Sequence, residues 1–398
     1  MAHPDDPLAV FRALEQRHPH VFWLDAGPRA AAGSSYVGWG VPVAEEEVRA
    51  AVCVSDGSAD GPQAGDYVGW AGYEDGAARA GAPTASEGMP GGAWLRIEGV
   101  HAFRHPLPAP ASDVPGGVPA RVARSRNSPQ EYAALVERCR DAIRAGDAYQ
   151  LCLTTRFEVD GDIDPVAAYL TLRQATPSHH GGVVRIGDLA LLSATPERFL
   201  EVDGHRVRTH PIKGTRPRGS DAATDAALAD ELLASPKERA ENVMIVDLMR
   251  NDLSRVCVPG SVTVERLLVV EHYPAVHQLV STVAGVLPAG TTVGGLLDAA
   301  FPAGSMTGAP KLSAMTILHR LEAGSRGAFA GCFGWVGAAG GLDLAMIIRS
   351  IVVYPGGAYV GAGGGITWGS VPADEVAEAG VKARAPLAAV GAALPAGW

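Results

Sequence analysis

The sequence predicts an α+β fold built mainly from antiparallel strands, and three observations carry that prediction. β-prone segments follow one another across short turns at Gly187-Asp188, Asp203-Gly204 and Pro355-Gly356-Gly357. Helix-capping signals appear at Ser128 and Ser235 rather than after every strand. There is neither a regular strand-helix alternation nor an internal repeat, which argues against a doubly wound parallel sheet.

Taken in chain order, the first 120 residues carry weak signals. They hold an amphipathic stretch over 8–14, strand-like runs over 21–25 and 67–70, and a Pro- and Gly-rich linker candidate over 106–119. Ser128-Pro129-Gln130-Glu131 reads as a capping box with Pro at the first helical position, and Tyr132, Leu135, Val136 and Cys139 continue an apolar face until Gly146. A long β-prone run covers 149–159. Hairpin arms follow at 183–186 and 189–193, then at 199–202 and 207–212. Ser235-Pro236-Lys237-Glu238 repeats the capping box, and a last helix starts near Pro372.

Composition narrows the function classes. Against 33 Lys+Arg stand 43 Asp+Glu, a net charge of −10, and no basic block with interleaved aromatics is present, so nucleic acid is not an expected partner. With 47% apolar residues the chain can bury a core rather than stay disordered. Five cysteines in no metal or redox spacing read as reduced, buried thiols. The start, MAHPDDPLAV, has no signal-peptide pattern, so a cytoplasmic protein is expected. The stretches 275–297 and 350–373 lack Asp, Glu, Lys and Arg but are broken by Gly and Pro, so they read as buried strands and no membrane is expected.

Several residues could carry chemistry. Glu238 and Glu241, like Glu375 and Glu378, are three apart on a helix and share a face. If the two faces meet, their repulsion calls for a hard cation such as Mg²⁺. Otherwise they are solvated faces, with Glu238 explained as the third residue of its capping box. Lys213, beside Gly214, is a nucleophile candidate or a surface charge. Glu197 is a general acid if desolvated, or the partner of Arg198. Gly363, Gly364 and Gly365 end a strand, and Arg349 on the facing strand would help their N–H groups hold a carboxylate.

Together these segments resemble the chorismate-utilising enzymes, which include the anthranilate, aminodeoxychorismate, isochorismate and salicylate synthases. The resemblance spans about 124–387 and rests on GDAYQLCLTTRF (146–157), SATPERF (193–199), PIKGTRPRG (211–219), KERAENVMIVDLMRNDLSRV (237–256), FPAGSMTGAPKLSAM (301–315), DLAMIIRS (343–350), GAGGGITWGS (361–370) and DEVAEAGVKARA (374–385). It implies two face-packed, mainly antiparallel sheets with helices outside. Residues 1–120 would form a variable part of that fold, and 121–398 the chorismate-binding part.

The resemblance also implies roles. Mg²⁺ ligands fall on Glu241 and Glu378, with Glu238 and Glu375 one turn away. Carboxylate-binding groups fall on Thr215, Arg349, Lys382 and the backbone of Gly363, Gly364 and Gly365, and Glu197 falls on the acid that protonates the departing C4 hydroxyl of chorismate. Gln150 stands where isochorismate and salicylate synthases carry a lysine base, which disfavours water as the nucleophile. Lys213 stands where aminodeoxychorismate synthases often carry lysine and anthranilate synthases alanine. It implies a covalent lysine intermediate and amination at C4 to 4-amino-4-deoxychorismate, a precursor of 4-aminobenzoate and folate. Gln278 replaces the histidine of pyruvate-eliminating relatives, with His277 shifted by one, and Phe329 replaces a frequent tyrosine. No cysteine sits in a Gly-x-Cys-x-Gly turn, so ammonia is expected from a separate glutamine amidotransferase subunit. The alternatives are anthranilate formation and a catalytically silent chorismate-binding subunit.

Overall fold

A computed structural model describes residues 6–57, 61–88, 91–107, 119–273 and 276–398; most of the linker candidate at 106–119 therefore lies outside the described residues. The chain begins with α1 (Pro7–Glu15), β1 (His20–Asp25), β2 (Ser34–Val43), α2 (Glu45–Ala50), β3 (Tyr67–Ala71), α3 (Tyr73–Arg79) and β4 (Ala93–Arg104). Then come β5 (Arg121–Ser125), α4 (Pro129–Ala145), β6 (Gln150–Asp160), α5 (Pro165–Ala175), β7 (His180–Ile186), β8 (Leu189–Thr195), β9 (Arg198–Asp203), β10 (Arg206–Thr209) and β11 (Ile212–Pro217). Two helices, α6 (Ala222–Ala234) and α7 (Pro236–Ser254), precede β12 (Thr263–His272), β13 (Val276–Val286) and α8 (Val293–Ala300). The last part holds β14 (Gly308–Ala309), α9 (Lys311–Glu322), β15 (Cys332–Val336), β16 (Leu342–Met346), β17 (Ser350–Tyr354), β18 (Gly357–Ile366), α10 (Pro372–Ala389) and β19 (Ala392–Ala393).

Local signals account for most of these boundaries. At the start of α4 the Ser128 hydroxyl accepts from the Glu131 N–H, the Glu131 carboxylate accepts from the Ser128 N–H, and Gly146 ends the helix at φ 84°. The second box closes only halfway. Ser235 accepts from the Glu238 N–H at 3.4 Å, but the Glu238 carboxylate does not turn back to the helix start. The β-prone run 207–212 is two strands rather than one. It breaks at His210-Pro211, where proline has no N–H for a ladder, and both pieces pair with β13.

The two sheets expected face to face are halves of one continuous ladder. One half runs through β2, β1, β7, β8, β17, β18 and β6, and the other through β3, β15, β16, β9, β10 and β13, joined by β4, which pairs with both β2 and β3. All pairings are antiparallel except that of β5 with β19. The halves enclose a core in which Phe22, Val184 and Leu191 meet Phe199, Phe333 and Leu344. A second core lies under α1, α5 and α10, and a third packs α4, α9 and α10 on β6 and the end of β18. All five cysteines are buried and free. Among the described residues, no helix is long and apolar enough to cross a membrane.

Candidate functional site

The predicted chemistry gathers where β11, β6 and β18 meet α7 and α10. In β11 the register against β13 slips between Ile212 and Thr215, a bulge that contains Lys213 and Gly214. Gly214 adopts φ 81°, a conformation that any side chain would strain, and such bulges re-aim the neighbouring side chain. Lys213 Nζ stands 3.8 Å from the position a Cβ would occupy on Gly365, and Gln150 Nε2, from the first residue of β6, stands 2.6 Å from it. One residue earlier, a Cβ on Gly364 would meet Glu375 Oε2 at 3.0 Å and Glu378 Oε1 at 3.3 Å. Gly364 and Gly365 thus leave room beside the strand for the two carboxylates and for the lysine and glutamine.

Charge is concentrated here. Lys382 Nζ donates to Glu378 Oε1 at 2.6 Å and to the Gly363 carbonyl at 2.8 Å. Lys237 lies 3.9 Å from Glu241, and Arg216 lies 3.7 Å from Glu238. Burial raises the Glu241 carboxyl against the pull of Lys213 and Lys237, and its repulsion from Glu238 and Glu378 adds to the rise. Burial also raises Glu375. Burial would raise Glu378 too, but Lys382, Lys237 and Lys213 hold it below the usual carboxylate range. The four glutamates from two helices form one electrostatic unit.

Their chemistry fits Mg²⁺. The donors are all carboxylate oxygens, and Glu375 Oε2 is buried with no hydrogen-bond partner among the described residues. As they stand, no three metal-ligating side chains among the described residues close on one point. Lys382 and Arg216 compensate part of the charge directly.

Glu197 sits between β8 and β9. Its N–H donates to Thr195 Oγ1 at 3.3 Å, its carbonyl accepts from the Met346 N–H at 2.9 Å, and its Oε1 accepts from Ser305 Oγ at 3.1 Å. Burial pushes its carboxyl up to about 7, against Lys213, Ser305 and Lys382. Arg198 is not its partner, because that guanidinium pairs with Glu201 and Asp343, each at 2.9 Å. Arg349 differs from expectation as well. It lies just before β17 rather than on a facing strand, at φ 51°, half-buried, with Glu378 as the opposite charge acting on it.

Thr215 and Gln278 are register partners across β11 and β13. His277, one residue earlier, turns to the other face, where Nε2 lies 2.9 Å from Asp225 and Nδ1 lies 2.7 Å from His272 Nδ1. The alternation of a strand therefore puts a glutamine where a one-residue shift would have put an imidazole. Phe329 packs its ring against Gly361, where a Cβ would approach to 2.1 Å. A cavity of about 960 Å³ is lined by residues of β1, β9, β13 and β16, and of the predicted site residues Gln278 alone lines it. Convergent charges, not volume, mark the chemical centre.

Ser305 and Lys237 were not singled out from the sequence. The serine lies 108 residues from the carboxylate it contacts, and no local pattern reports such a contact.

Residues 44–388 match the chorismate binding enzyme family. An aminodeoxychorismate synthase of Streptomyces griseus is 43% identical over 295 residues, covering 74% of this chain and 40% of that protein. An anthranilate synthase component 1 of Thermus thermophilus is 44% identical over 286 residues, covering 71% of this chain and 62% of that protein. The chain spans about half the length of the curated relatives it matches. The crystal structure of anthranilate synthase component I from Streptococcus pneumoniae superposes with a TM-score of 0.77 at 28% identity, covering 89% of this chain and 92% of that one.

Proposed function

The chain belongs to the chorismate-binding enzyme family, and from that premise we propose that it aminates chorismate at C4, as the first component of an aminodeoxychorismate synthase. The observation that carries this reading is the placement of Lys213 Nζ against Gly365 beside Gln150, with the Glu197 carboxyl within its electrostatic reach. An amine at that point can act as a nucleophile, and a carboxyl that stays protonated to about 7 can act as an acid.

The Lys213 amine adds at C2 of chorismate while both ring double bonds shift and the C4 hydroxyl leaves, taking its proton from Glu197 and departing as water; the added nitrogen then returns a proton to the Glu197 carboxylate. Ammonia attacks C4, both double bonds shift back and the lysine nitrogen is expelled from C2, taking up the proton that the new C4 amine gives up, to give 4-amino-4-deoxychorismate. Overall, chorismate and ammonia become product and water. Lys382, Arg349, Thr215 and the N–H groups of Gly363, Gly364 and Gly365 hold the two carboxylates of the substrate. Gln278 offers no imidazole for eliminating pyruvate, and Gln150 no amine base for activating water. Glu241 and Glu378, with Glu238 and Glu375 behind them, would hold Mg²⁺, which when bound neutralises a substrate carboxylate and polarises the ring conjugated to it. A glutamine amidotransferase partner supplies the ammonia.

A second reading, anthranilate formation, is favoured by the anthranilate synthase relatives, which are as similar as the aminodeoxychorismate synthases. One experiment separates them: chorismate, Mg²⁺ and excess ammonium salt are incubated with the chain and the products analysed by mass spectrometry. The C4-amination reading expects 4-amino-4-deoxychorismate that yields 4-aminobenzoate only after a lyase is added. Anthranilate with released pyruvate establishes the second reading.

A further inference from the structure

Glu197 is held by a residue that plays no part in the scheme above. Ser305 lies in a 3-10 turn, Gly304–Met306, with 8% of its surface exposed, and its hydroxyl is 3.1 Å from Glu197 Oε1. Among the described residues this is the one side-chain hydrogen bond to that carboxyl, and the one hydrogen bond of that hydroxyl.

The turn is fixed from both sides. The Met306 N–H donates to the Ala303 carbonyl at 3.0 Å, and Arg326 Nη1 donates to the Met306 carbonyl at 2.7 Å. Arg326 is itself 3% exposed, paired with Glu322 at 2.6 Å and bonded to the Cys152 carbonyl at 2.8 Å, so the anchor reaches from α9 to β6. Leu248 and Met249 of α7 press on Gly304 from behind. A hydroxyl held this way has one place to send its proton.

We propose that Ser305 is a positioning residue for Glu197: its hydroxyl occupies Oε1, leaves Oε2 to carry the transferable proton, and stays bonded to the carboxylate after that proton has gone. This rests on the reading of Glu197 as the general acid. The same bond explains how a half-buried carboxyl whose burial favours the acid form can release its proton. Burial opposes the anion, while Lys213 from β11, Lys382 from α10 and the Ser305 hydroxyl favour it. Of these, only the hydroxyl is directional, so only it selects between the two oxygens.

The test uses Ser305→Ala, Ser305→Thr and Glu197→Gln in the full chain. The Glu197 carboxyl is titrated by difference infrared spectroscopy without substrate, its band identified by its loss in Glu197→Gln, and kcat and KM are followed against pH. In Ser305→Ala the titration midpoint should rise by about one pH unit, the size of a lost hydrogen bond to a charged group. kcat should fall about tenfold with the chorismate KM within twofold, while Ser305→Thr, which keeps the hydroxyl, should restore the midpoint. An unchanged midpoint in Ser305→Ala overturns the proposal, as does a kcat loss that leaves the alkaline limb of the profile in place. Full activity of Glu197→Gln would instead remove the general-acid reading, whatever Ser305 does to the titration.

Discussion

Lys382 reaches Glu378 at 2.6 Å and the carbonyl of Gly363 at 2.8 Å, so one ammonium bridges the acidic face of α10 and the glycines of β18. On the Mg²⁺ reading proposed above, this ammonium would compete with the cation for Glu378. The pair is partly exposed, and its coupling is worth at most about 1 kcal/mol. Lys382→Ala should bind Mg²⁺ roughly threefold more tightly in the absence of substrate, by titration calorimetry, while its KM for chorismate rises. Weaker Mg²⁺ binding in this variant would show that the lysine does not act against the cation.

Neighbouring glycines on the same strand should fail in different ways. A Cβ on Gly363 would come within 2.1 Å of the Leu153 carbonyl, a backbone atom of the paired strand that cannot swing aside. Gly363→Ala should therefore lower the melting temperature by several degrees. On Gly364 the Cβ meets the Glu375 and Glu378 carboxylates at 3.0 and 3.3 Å, and side chains can yield. Gly364→Ala should melt near the parent temperature but bind Mg²⁺ more weakly. Equal melting of the two variants would contradict this difference between a backbone neighbour and side-chain neighbours.

The pH dependence follows from Glu197, whose carboxyl is raised from 4.5 to about 7 by burial. Between those values the folded protein binds more protons than the unfolded chain, so this residue's contribution to stability falls as pH rises through the window and is fully lost above about 7. Glu197→Gln, which carries no charge, should melt higher than the parent at pH 8 and not at pH 4.5. The amination rate of the parent should fall on the alkaline side of about 7, because the acid form is the active one. A melting difference independent of pH would place the Glu197 titration elsewhere.

Lys213→Ala should abolish amination, with kcat down by at least two orders of magnitude, an effect typical of removing a covalent nucleophile. Chorismate should still bind, since the carboxylate-holding groups remain. Intact-mass analysis of the parent enzyme, quenched during turnover without ammonia, should find an adduct on Lys213. Amination by Lys213→Ala at the parent rate would exclude the covalent route.

The Glu322–Arg326 pair is almost fully buried. Glu322 accepts from the Arg326 guanidinium and from both the N–H and the hydroxyl of Thr154, all buried. Glu322→Ala leaves a buried guanidinium without its counter-charge, which costs about 3–5 kcal/mol. Urea unfolding should show the loss as a lowered midpoint.

What could be read from the chain was what neighbours in sequence decide. The Ser128 box, the stop at Gly146, the hairpin turns and the helix from Pro372 each depend on a few consecutive residues whose hydrogen bonds close locally. The pairing of glutamates at a spacing of three was equally visible, because helical geometry alone puts them on one face. Tertiary structure decided the rest. Glu238 satisfied the local capping pattern, yet its carboxylate lies against Gly214 and near Arg216, since neighbouring charges outweigh a reciprocal cap at an exposed helix start. Arg198 stood beside Glu197 in sequence, but Glu197 lies in the connection between β8 and β9 while Arg198 opens β9, and their side chains go to Ser305 and to Asp343. The facing of α7 and α10, the meeting of Lys213 with Gln150 and the reach of Ser305 to Glu197 join residues far apart in the chain. Each exists only because a continuous antiparallel ladder folds back on itself, and the free energy of that closure comes from apolar burial spread over the whole core rather than from any one motif.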